Sequence, residues 1–229
     1  MLYLANKNLL FIHIPKTGGE TIRHILNKYA EENKAEISDF GGYREYNYQK
    51  IDGSHICFAS SKYFLPHINY QDVKVLASVR NPYDRIYSAF VWCQQKKEHN
   101  SLHLKDFKTF IKEHLAKLIS WQHNHYIKNE YFHYLGIHFM PMYLFLLTED
   151  RTIKYDYLIK TEEISDQLKK VFNELSIPAD SNTCINCLKQ TNIKLHQYLN
   201  EYDNECISII NKIYYYDFKF FGYTTIDHL

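Results

Sequence analysis

Three short apolar runs along the chain predict buried strands, at residues 9–14, 73–79 and 155–159. The run at 73–79 is rich in β-branched residues, which is typical of a strand buried on both faces of a parallel sheet. A further short strand is predicted at 55–59. These runs are expected to form the centre of the fold.

Stretches with apolar residues at helical spacing follow the predicted strands. Pro82 fits the first turn of a helix, and Thr161 is a suitable N-cap for another. Polar, glycine-containing segments at 33–54 and 179–194 are predicted to be connections. The predicted helices cover residues 20–32, 83–97, 107–118, 161–175 and 196–215.

Strands that alternate with helices predict an α/β fold with a central parallel sheet and helices on both faces. The chain has 229 residues, with no internal repeat and no low-complexity linker. We therefore predict a single domain over residues 1–229.

The composition excludes several classes of protein. The apolar fraction of 45% indicates a globular chain. A formal net charge of +1 gives no strong attraction to nucleic acid or to an anionic membrane. No stretch approaches the roughly 18 apolar residues of a membrane helix, and no signal peptide is visible. We expect a soluble, cytoplasmic protein without a nucleic-acid partner.

The five cysteines predict reduced thiols, because an odd count without a framework spacing does not suit a disulfide scaffold. Cys184 and Cys187 have the spacing of a zinc or redox motif, but a second pair at ligand spacing is missing. His123 and His125 likewise lack a third ligand. No metal site is predicted.

A glycine-containing turn joins the first predicted strand to the first predicted helix, with the sequence Pro-Lys-Thr-Gly-Gly at 15–19. Glycines let the backbone approach an anion, and the N–H groups at a helix start favour negative charge. Lys16 adds a positive charge, and Thr17 and Thr21 add hydroxyl groups. The turn therefore predicts a phosphate-binding loop. It is not a Walker A motif, in which the lysine follows the glycines.

A second candidate phosphate site begins directly after the strand predicted at 73–79. Arg80 follows that strand, and Arg85 and Ser88 share one face of the next helix. Arginine can hold a phosphate through two parallel hydrogen bonds. Ligands of parallel sheets bind at the carboxyl ends of the strands, where both Lys16 and Arg80 are expected. The alternative is that Arg80 pairs with a carboxylate and Ser88 is a surface residue.

The two motifs together resemble the sulfotransferases that use PAPS, 3′-phosphoadenosine 5′-phosphosulfate. Pro-Lys-Thr-Gly-Gly at 15–19 followed by Arg-Asn-Pro-Tyr-x-Arg-x-x-Ser at 80–88 is most similar to the carbohydrate-type and membrane-type branch, which includes heparan sulfate 2-O-sulfotransferase. Residues 155–162 and 214–223 are similar to the C-terminal half of the family. The resemblance implies a P-loop-like sulfotransferase fold and transfer of a sulfuryl group from PAPS to a hydroxyl group, expected on a glycan or glycolipid. PAP is the product, and no metal is required.

The resemblance also implies a role for each matching residue. Arg80 and Ser88 would hold the 3′-phosphate. Lys16 would contact the leaving phosphate oxygen. Glu20 departs from the pattern, because relatives carry Thr or Ser there, and a carboxylate beside a bound anion is unfavourable unless it points away. The residues that would hold the 5′-phosphosulfate are Lys16, Thr17, Gly18, Gly19 and Thr21.

Sulfuryl transfer needs a base that takes the proton of the acceptor hydroxyl, and histidine suits this role near neutral pH. His55 lies in a stretch that resembles the one supplying the base in the related group, so we predict His55 as the general base. The alternative for His55 is a local hydrogen bond in a loop. His13 is predicted to pack inside the first strand. Candidates to close over the nucleotide are Lys189, Thr191, Asn192 and Lys194.

Two other functions remain open from the sequence. A P-loop kinase of nucleoside phosphates shares the strand–loop–helix core, but it needs Mg²⁺ and a Walker-type loop. A catalytically inactive PAP-binding module would accommodate Glu20. The aromatic and histidine-rich segment at 99–147 is expected to face the acceptor in the sulfotransferase interpretation, and the alternative is that its aromatic side chains are packed core.

Overall fold

The computed structural model of the chain describes residues 1–46, 49–95, 106–120, 136–178 and 199–229. The chain divides into two compact units, and each is considered by itself. The first unit contains Met1–Val79 and Met142–Asn192, and the second contains Arg80–Pro141 and Ile193–Leu229. The single domain expected from the sequence stays a prediction.

The first unit contains two sheets. Their strands are β1 Leu2–Leu4, β2 Leu9–Ile12, β3 Ile37–Asp39, β4 Tyr43–Tyr46, β5 Gln49–Asp52, β6 Lys74–Val79 and β7 Tyr157–Lys160. Five strands form one sheet in the order β3-β1-β2-β6-β7, and β4 and β5 form a separate hairpin. β6 pairs in parallel with both β2 and β7, whereas β1 is antiparallel to both of its neighbours.

The α/β fold predicted from the sequence is confirmed, and the three predicted core strands correspond to β2, β6 and β7. The sheet is mixed, because the antiparallel strands β1 and β3 extend the parallel part on one side. Each has only three residues, too few for an alternating pattern to be recognised. The strand predicted at 55–59 is wrong, since a 3₁₀ turn at Gly53–His55 and a short helix occupy that stretch.

The described residues form eight helical segments, together with short 3₁₀ turns. The segments are α1 Gly19–Asn33, α2 Phe58–Ser61, α3 Pro82–Gln95, α4 Phe107–Thr109 with a π-helical turn at Phe110–Leu115, α5 Tyr143–Leu146, α6 Ile164–Glu174, α7 Asn204–Ile213 and α8 Tyr215–Phe221. After the π-helical turn, residues 116–120 continue α4 as α-helix.

Helices α1 and α6 cover one face of the sheet in the first unit. Ile22 and Leu26 of α1 and Leu168 of α6 pack with Phe11 of β2 and Leu76 of β6 in one buried cluster. These apolar residues recur at helical spacing on α1 and at alternate positions on the strands, so one stripe of each element faces the cluster. Burial of this face holds α1 against the sheet.

The second unit is helical in its described residues and has its own aromatic core. Tyr83 and Phe90 of α3 pack with Phe110 of α4 and with Tyr214 and Phe218 near the end of the chain. The single helix predicted at 196–215 is instead two helices, α7 and α8. Residues 196–198 of that prediction lie outside the described ranges.

Candidate functional site

The loop between β2 and α1 has an unusual backbone conformation. Lys16 has a φ of 66° and Gly18 a φ of 77°, both in the left-handed region. Glycine adopts this region without a Cβ penalty, but a lysine there costs on the order of 1–3 kcal/mol. A cost of this size needs surrounding contacts that hold the conformation. Lys16 itself is half-buried.

Thr17 holds the centre of the loop from inside. Its side chain is completely buried, and its hydroxyl donates to the carbonyl oxygen of Ile14 at 2.8 Å. Ser78 of β6 lies with its Oγ 2.8 Å from the same hydroxyl oxygen. Because Thr17 has one hydroxyl hydrogen and gives it to Ile14, Ser78 is the donor in the second bond. Thr17 would therefore reach an anion through its backbone N–H, not through its hydroxyl.

Thr161 ties the loop to the other strand ends. It follows β7 directly, and its Oγ1 lies 2.8 Å from the carbonyl oxygen of Thr17 and 2.9 Å from that of Val79. The sequence predicted Thr161 only as a helix N-cap, and this is wrong, because Thr161 is the first residue of a 3₁₀ turn and Glu163 is at the N-cap position of α6. A hydroxyl residue just after a core strand was the only signal in the sequence for this role.

The first turn of α1 is packed tightly against His13. A Cβ added to Gly19 would lie 2.1 Å from Cδ2 of His13, so only glycine fits without movement of that ring. Thr21 is 6% exposed, and its N–H donates to the Gly18 carbonyl oxygen at 3.1 Å. Within the described ranges the Thr21 hydroxyl has no hydrogen-bond partner, so it can offer a donor at the start of the helix.

Glu20, the departure from the family pattern, is 73% exposed at its side chain and lies between two partners. Its carboxylate is 3.6 Å from the guanidinium of Arg23 and 3.7 Å from Nδ1 of His13. Arg23 in turn donates to both carboxylate oxygens of Asp39, at 3.0 and 2.9 Å. Arg23 therefore offsets part of the negative charge that Glu20 brings to the beginning of α1.

Asp39 fixes Arg23 in this arrangement. Burial of the Asp39 carboxyl raises its pKa, but hydrogen bonds from Asn27, Arg23 and the N–H of Gly41 outweigh that effect and leave the pKa below its usual value. The carboxylate thus stays charged near neutral pH and keeps Arg23 in place beside Glu20. A Cβ on Gly41 would overlap the Arg23 guanidinium, so this network also explains that glycine.

His55 lies in the 3₁₀ turn at Gly53–His55 and is 8% exposed. Its Nδ1 is 2.9 Å from the carbonyl oxygen of His13. A carbonyl oxygen can only accept, so Nδ1 carries the hydrogen, and in the neutral ring the lone pair is on Nε2. The local hydrogen bond considered as the alternative for His55 is therefore present, and it selects the tautomer whose Nε2 can take a proton.

His13 connects His55 to the loop. It is 4% exposed, in agreement with the predicted packing role, although β2 ends one residue before it. The His13 ring stacks on Phe11 with centroids 5.7 Å apart and meets the His55 ring edge-on at 4.7 Å. The structure thus brings His55, His13 and the start of α1 together in the first unit.

Arg80, at the beginning of the second unit, is buried and paired. It is 6% exposed, and its Nε lies 3.4 Å from a carboxylate oxygen of Asp84, which is 5% exposed. This is the carboxylate pairing that the sequence left open for Arg80. Ser88 follows Asp84 by one helical turn on α3 and is half-buried. Its hydroxyl has no hydrogen-bond partner in the part of the chain that the structure describes.

Arg85 has a structural role in the same helix. It is completely buried, and its Nη2 donates to the carbonyl oxygens of His138 and Met140 at 3.1 and 2.8 Å. Burial lowers the pKa of Arg85, and the neighbouring Tyr214 and Asp217 act in the opposite direction. Of the two arginines in the motif at 80–88, Arg85 therefore anchors the helix, and Arg80 is the candidate for ligand binding.

The start of α3 is held by further contacts that sequence reasoning missed. Asn81 accepts the N–H of Tyr83 at 3.0 Å through its side-chain oxygen. Tyr202 donates its hydroxyl to the Tyr83 carbonyl oxygen at 2.7 Å. The Tyr83 hydroxyl donates to Asn211 and accepts the N–H of Ile226 at 2.8 Å. Residues near the end of the chain, before, within and after α7, therefore help to fix the helix that carries Ser88.

Several residues singled out in the sequence lie outside the described ranges. They are Lys189, Thr191, Asn192, Lys194, Cys184, Cys187, His123 and His125.

Two features are absent from the described residues, a cluster of metal ligands and a membrane-spanning helix. Where the chain is described, no three His, Cys, Asp or Glu side chains come together in a way that could hold a metal ion. None of the described helices has the length and hydropathy needed to cross a membrane.

Comparison with known proteins gives one match. A family model described as "Sulfotransferase family" covers residues 1–224. Searches of curated proteins and of solved structures found no match to this chain.

Proposed function

The chain belongs to the sulfotransferase family, and we propose that it transfers a sulfuryl group from PAPS to a hydroxyl group of a carbohydrate. The observation that carries this proposal is the loop at the start of α1. A lysine held in the left-handed region next to a helix N-terminus, in the same unit as a buried histidine whose lone pair is on Nε2, suits transfer of an anionic group.

The reaction is an in-line displacement at sulfur. His55 takes the proton of the acceptor hydroxyl on Nε2, and the oxygen attacks the sulfur atom of PAPS. The bond between sulfur and the bridging phosphate oxygen breaks, and its electron pair goes to that oxygen. Lys16 stabilises the negative charge that develops there. PAP leaves, and the acceptor carries a sulfate ester.

The residues around Lys16 would hold the 5′-phosphosulfate. Backbone N–H groups at Thr17, Gly18 and Gly19 and the hydroxyl of Thr21 are suitable donors to its oxygens. The absence of a side chain at Gly18 and Gly19 lets the anion approach the backbone closely. Glu20 is compatible with this role because Arg23 lies within 3.6 Å of its carboxylate.

Arg80 and Ser88 are proposed to hold the 3′-phosphate of the same nucleotide. The ion pair with Asp84 orients the guanidinium, which carries five N–H donors in a planar fork suited to a phosphate. Ser88 adds a hydroxyl donor from the same face of the helix as Asp84. Arg85 contributes by anchoring α3, not by contact with the nucleotide.

The finer points of the proposal rest on the resemblance of the motifs. The carbohydrate acceptor and the branch that includes heparan sulfate 2-O-sulfotransferase follow from the sequence pattern at 15–19 and 80–88. The acceptor is proposed to be a glycan or glycolipid. The cytoplasmic location stays a prediction.

The main competing activity is phosphoryl transfer from ATP. The order of lysine and glycines in the loop disfavours it, because a Walker A loop places the lysine after the glycines. Isothermal titration separates the two functions. We expect PAP to bind, to bind more tightly than 5′-AMP, and to bind equally well without Mg²⁺. Tighter binding of Mg²⁺–ATP than of PAP would overturn the proposal.

The role of His55 is tested by turnover. In His55→Ala we expect the release of PAP from PAPS, in the presence of a panel of neutral and uronic-acid oligosaccharides, to fall by about 10²- to 10⁴-fold. PAP affinity should change little, because the base contacts the acceptor. His24→Ala, an exposed histidine on α1, is the matched control. Activity in His55→Ala equal to that of the control would exclude His55 as the base. PAP binding without turnover in any variant, wild type included, would indicate an inactive PAP-binding module.

A further inference from the structure

Lys16 adopts a backbone conformation that is uncommon for a residue with a Cβ. Its φ of 66° is in the left-handed region, where such a residue is strained. Such strain persists only where neighbouring contacts determine the backbone more strongly than the residue itself does. Contacts on the neighbouring residue Thr17 contribute to this, because the loop has only a few residues between β2 and α1.

Thr17 is the neighbour on which those contacts converge. Three strand ends reach it through hydrogen bonds that are all close to 2.8 Å. Ile14, just after β2, accepts its hydroxyl, Ser78 of β6 donates to that hydroxyl, and Thr161, just after β7, donates to its carbonyl oxygen. Both the side chain and the main chain of Thr17 are therefore fixed, directly beside Lys16.

We propose that Thr161 and Ser78 are positioning residues for the phosphosulfate-binding loop. They hold Thr17, and through it they keep Lys16 and the N–H groups at the start of α1 directed at the 5′-phosphosulfate. This inference rests on the proposed function. Neither residue touches the nucleotide, and each acts only through the loop.

Of the two positioning residues, Thr161 is expected to have the larger effect on the loop. Its hydroxyl oxygen lies 2.8 and 2.9 Å from the carbonyl oxygens of Thr17 and Val79, so its one hydrogen can be donated to either of them. Valine at this position has the same shape but leaves both carbonyl oxygens without that donor, which is unfavourable in a partly buried site. Serine keeps the donor and removes only the methyl group. The pair Thr161→Val and Thr161→Ser therefore isolates the hydroxyl.

The affinities for three nucleotides distinguish a positioning role at the loop from a general loss of stability. PAP carries both phosphates, 5′-AMP carries only the one proposed to contact the loop, and 3′-AMP carries only the one proposed to contact Arg80. In Thr161→Val we expect the affinities for PAP and 5′-AMP, measured by titration, to fall on the order of tenfold. The affinity for 3′-AMP should stay within about twofold, and Thr161→Ser should restore binding of all three.

Ser78→Ala provides a second test if Thr161→Val folds poorly, as judged by its melting temperature. Ser78→Ala removes a single donor to Thr17 and leaves the Thr17–Ile14 bond in place. The affinity of this variant for PAP and 5′-AMP should also fall while that for 3′-AMP is kept, and the fall should be smaller than in Thr161→Val. Equal losses for 5′-AMP and 3′-AMP, or no loss in either variant, would overturn the positioning role. A wild type that does not prefer PAP to 5′-AMP would instead count against the proposed function.

Discussion

The two candidate phosphate-binding segments achieve order in opposite ways. In the loop at 15–19 the side chain of Thr17 is bonded to the protein, and the groups left for an anion are main-chain N–H donors and Lys16. In the segment at 80–88 the side chain of Arg80 is the proposed binding group, and a carboxylate 3.4 Å away already partners it. The loop is ordered through its backbone, and the helix segment through a buried ion pair.

This difference predicts different contributions to the reaction. A loop with fixed donors stabilises charge that develops during transfer, because its donors need no rearrangement. The paired Arg80 is proposed to hold the 3′-phosphate, whose charge does not change in the reaction. Substitutions in the loop should therefore lower the rate, and substitutions at Arg80 should lower the affinity.

Within the two candidate phosphate-binding segments, the largest effect is expected for Lys16→Ala. Removal of one donor at the site of charge development typically lowers kcat by about 10²- to 10³-fold. PAP affinity should fall by less than kcat does, because the charge on the bridging oxygen grows in the transition state. The measurement is PAP release from saturating PAPS with the oligosaccharide panel, and titration with PAP.

Lys28→Ala is the control for Lys16→Ala. Lys28 also belongs to the first unit, lies on α1 and makes only a surface ion pair with Glu32 at 3.8 Å, so its loss should leave both parameters near wild type. If Lys16→Ala lowered PAP affinity as much as kcat, the loop would bind the ground state and the transition state equally. The proposed difference between the loop at 15–19 and the segment at 80–88 would then be wrong.

The sequence predicted the parts of both segments that depend on local pattern. β2, β6 and α1 follow from apolar runs and helical spacing, and the loop follows from its position between them. The role of Thr161 could not be predicted, because its bond to Thr17 joins residues separated by 144 positions. The same holds for Arg85, whose partners lie on a distant segment of the second unit.

The two strands that were not predicted, β1 and β3, show which features a local sequence pattern cannot reveal. β1 and β3 have three residues each, and their pairing comes from contacts with β2 and with each other, not from periodicity. The error at 55–59 has a similar origin, since the four apolar residues at 56–59 fit a short helix as well as a strand.

An intermediate effect is expected at Arg80. In Arg80→Gln, affinity for PAP and for 3′-AMP should fall about 10- to 100-fold, the range for charge-assisted hydrogen bonds. Affinity for 5′-AMP should be unchanged. Titration with the three nucleotides measures this, and it gives the reverse of the pattern expected for Thr161→Val.

Arg80→Gln also leaves the buried Asp84 without its cation, which destabilises the protein by about 3–5 kcal/mol in comparable pairs. The double variant Arg80→Gln/Asp84→Asn removes both charges and should regain most of that stability without regaining affinity. Recovery of PAP binding in the double variant would show that Asp84, not the loss of Arg80, governs affinity, and would contradict the assignment of the 3′-phosphate to Arg80.

The smallest effect concerns how the two helices begin. α3 begins with an Asn81 cap at its first turn, whereas α1 begins against the ring of His13, 2.1 Å from an added Cβ on Gly19. Gly19→Ala should therefore destabilise the protein by about 1–3 kcal/mol, although alanine normally favours a helix over glycine by roughly 1 kcal/mol. Thermal or urea unfolding measures the change. In a His13→Ala background the ring is gone, so Gly19→Ala should become neutral or stabilising. An equal loss in both backgrounds would show that backbone conformation, not the His13 contact, requires glycine where α1 begins.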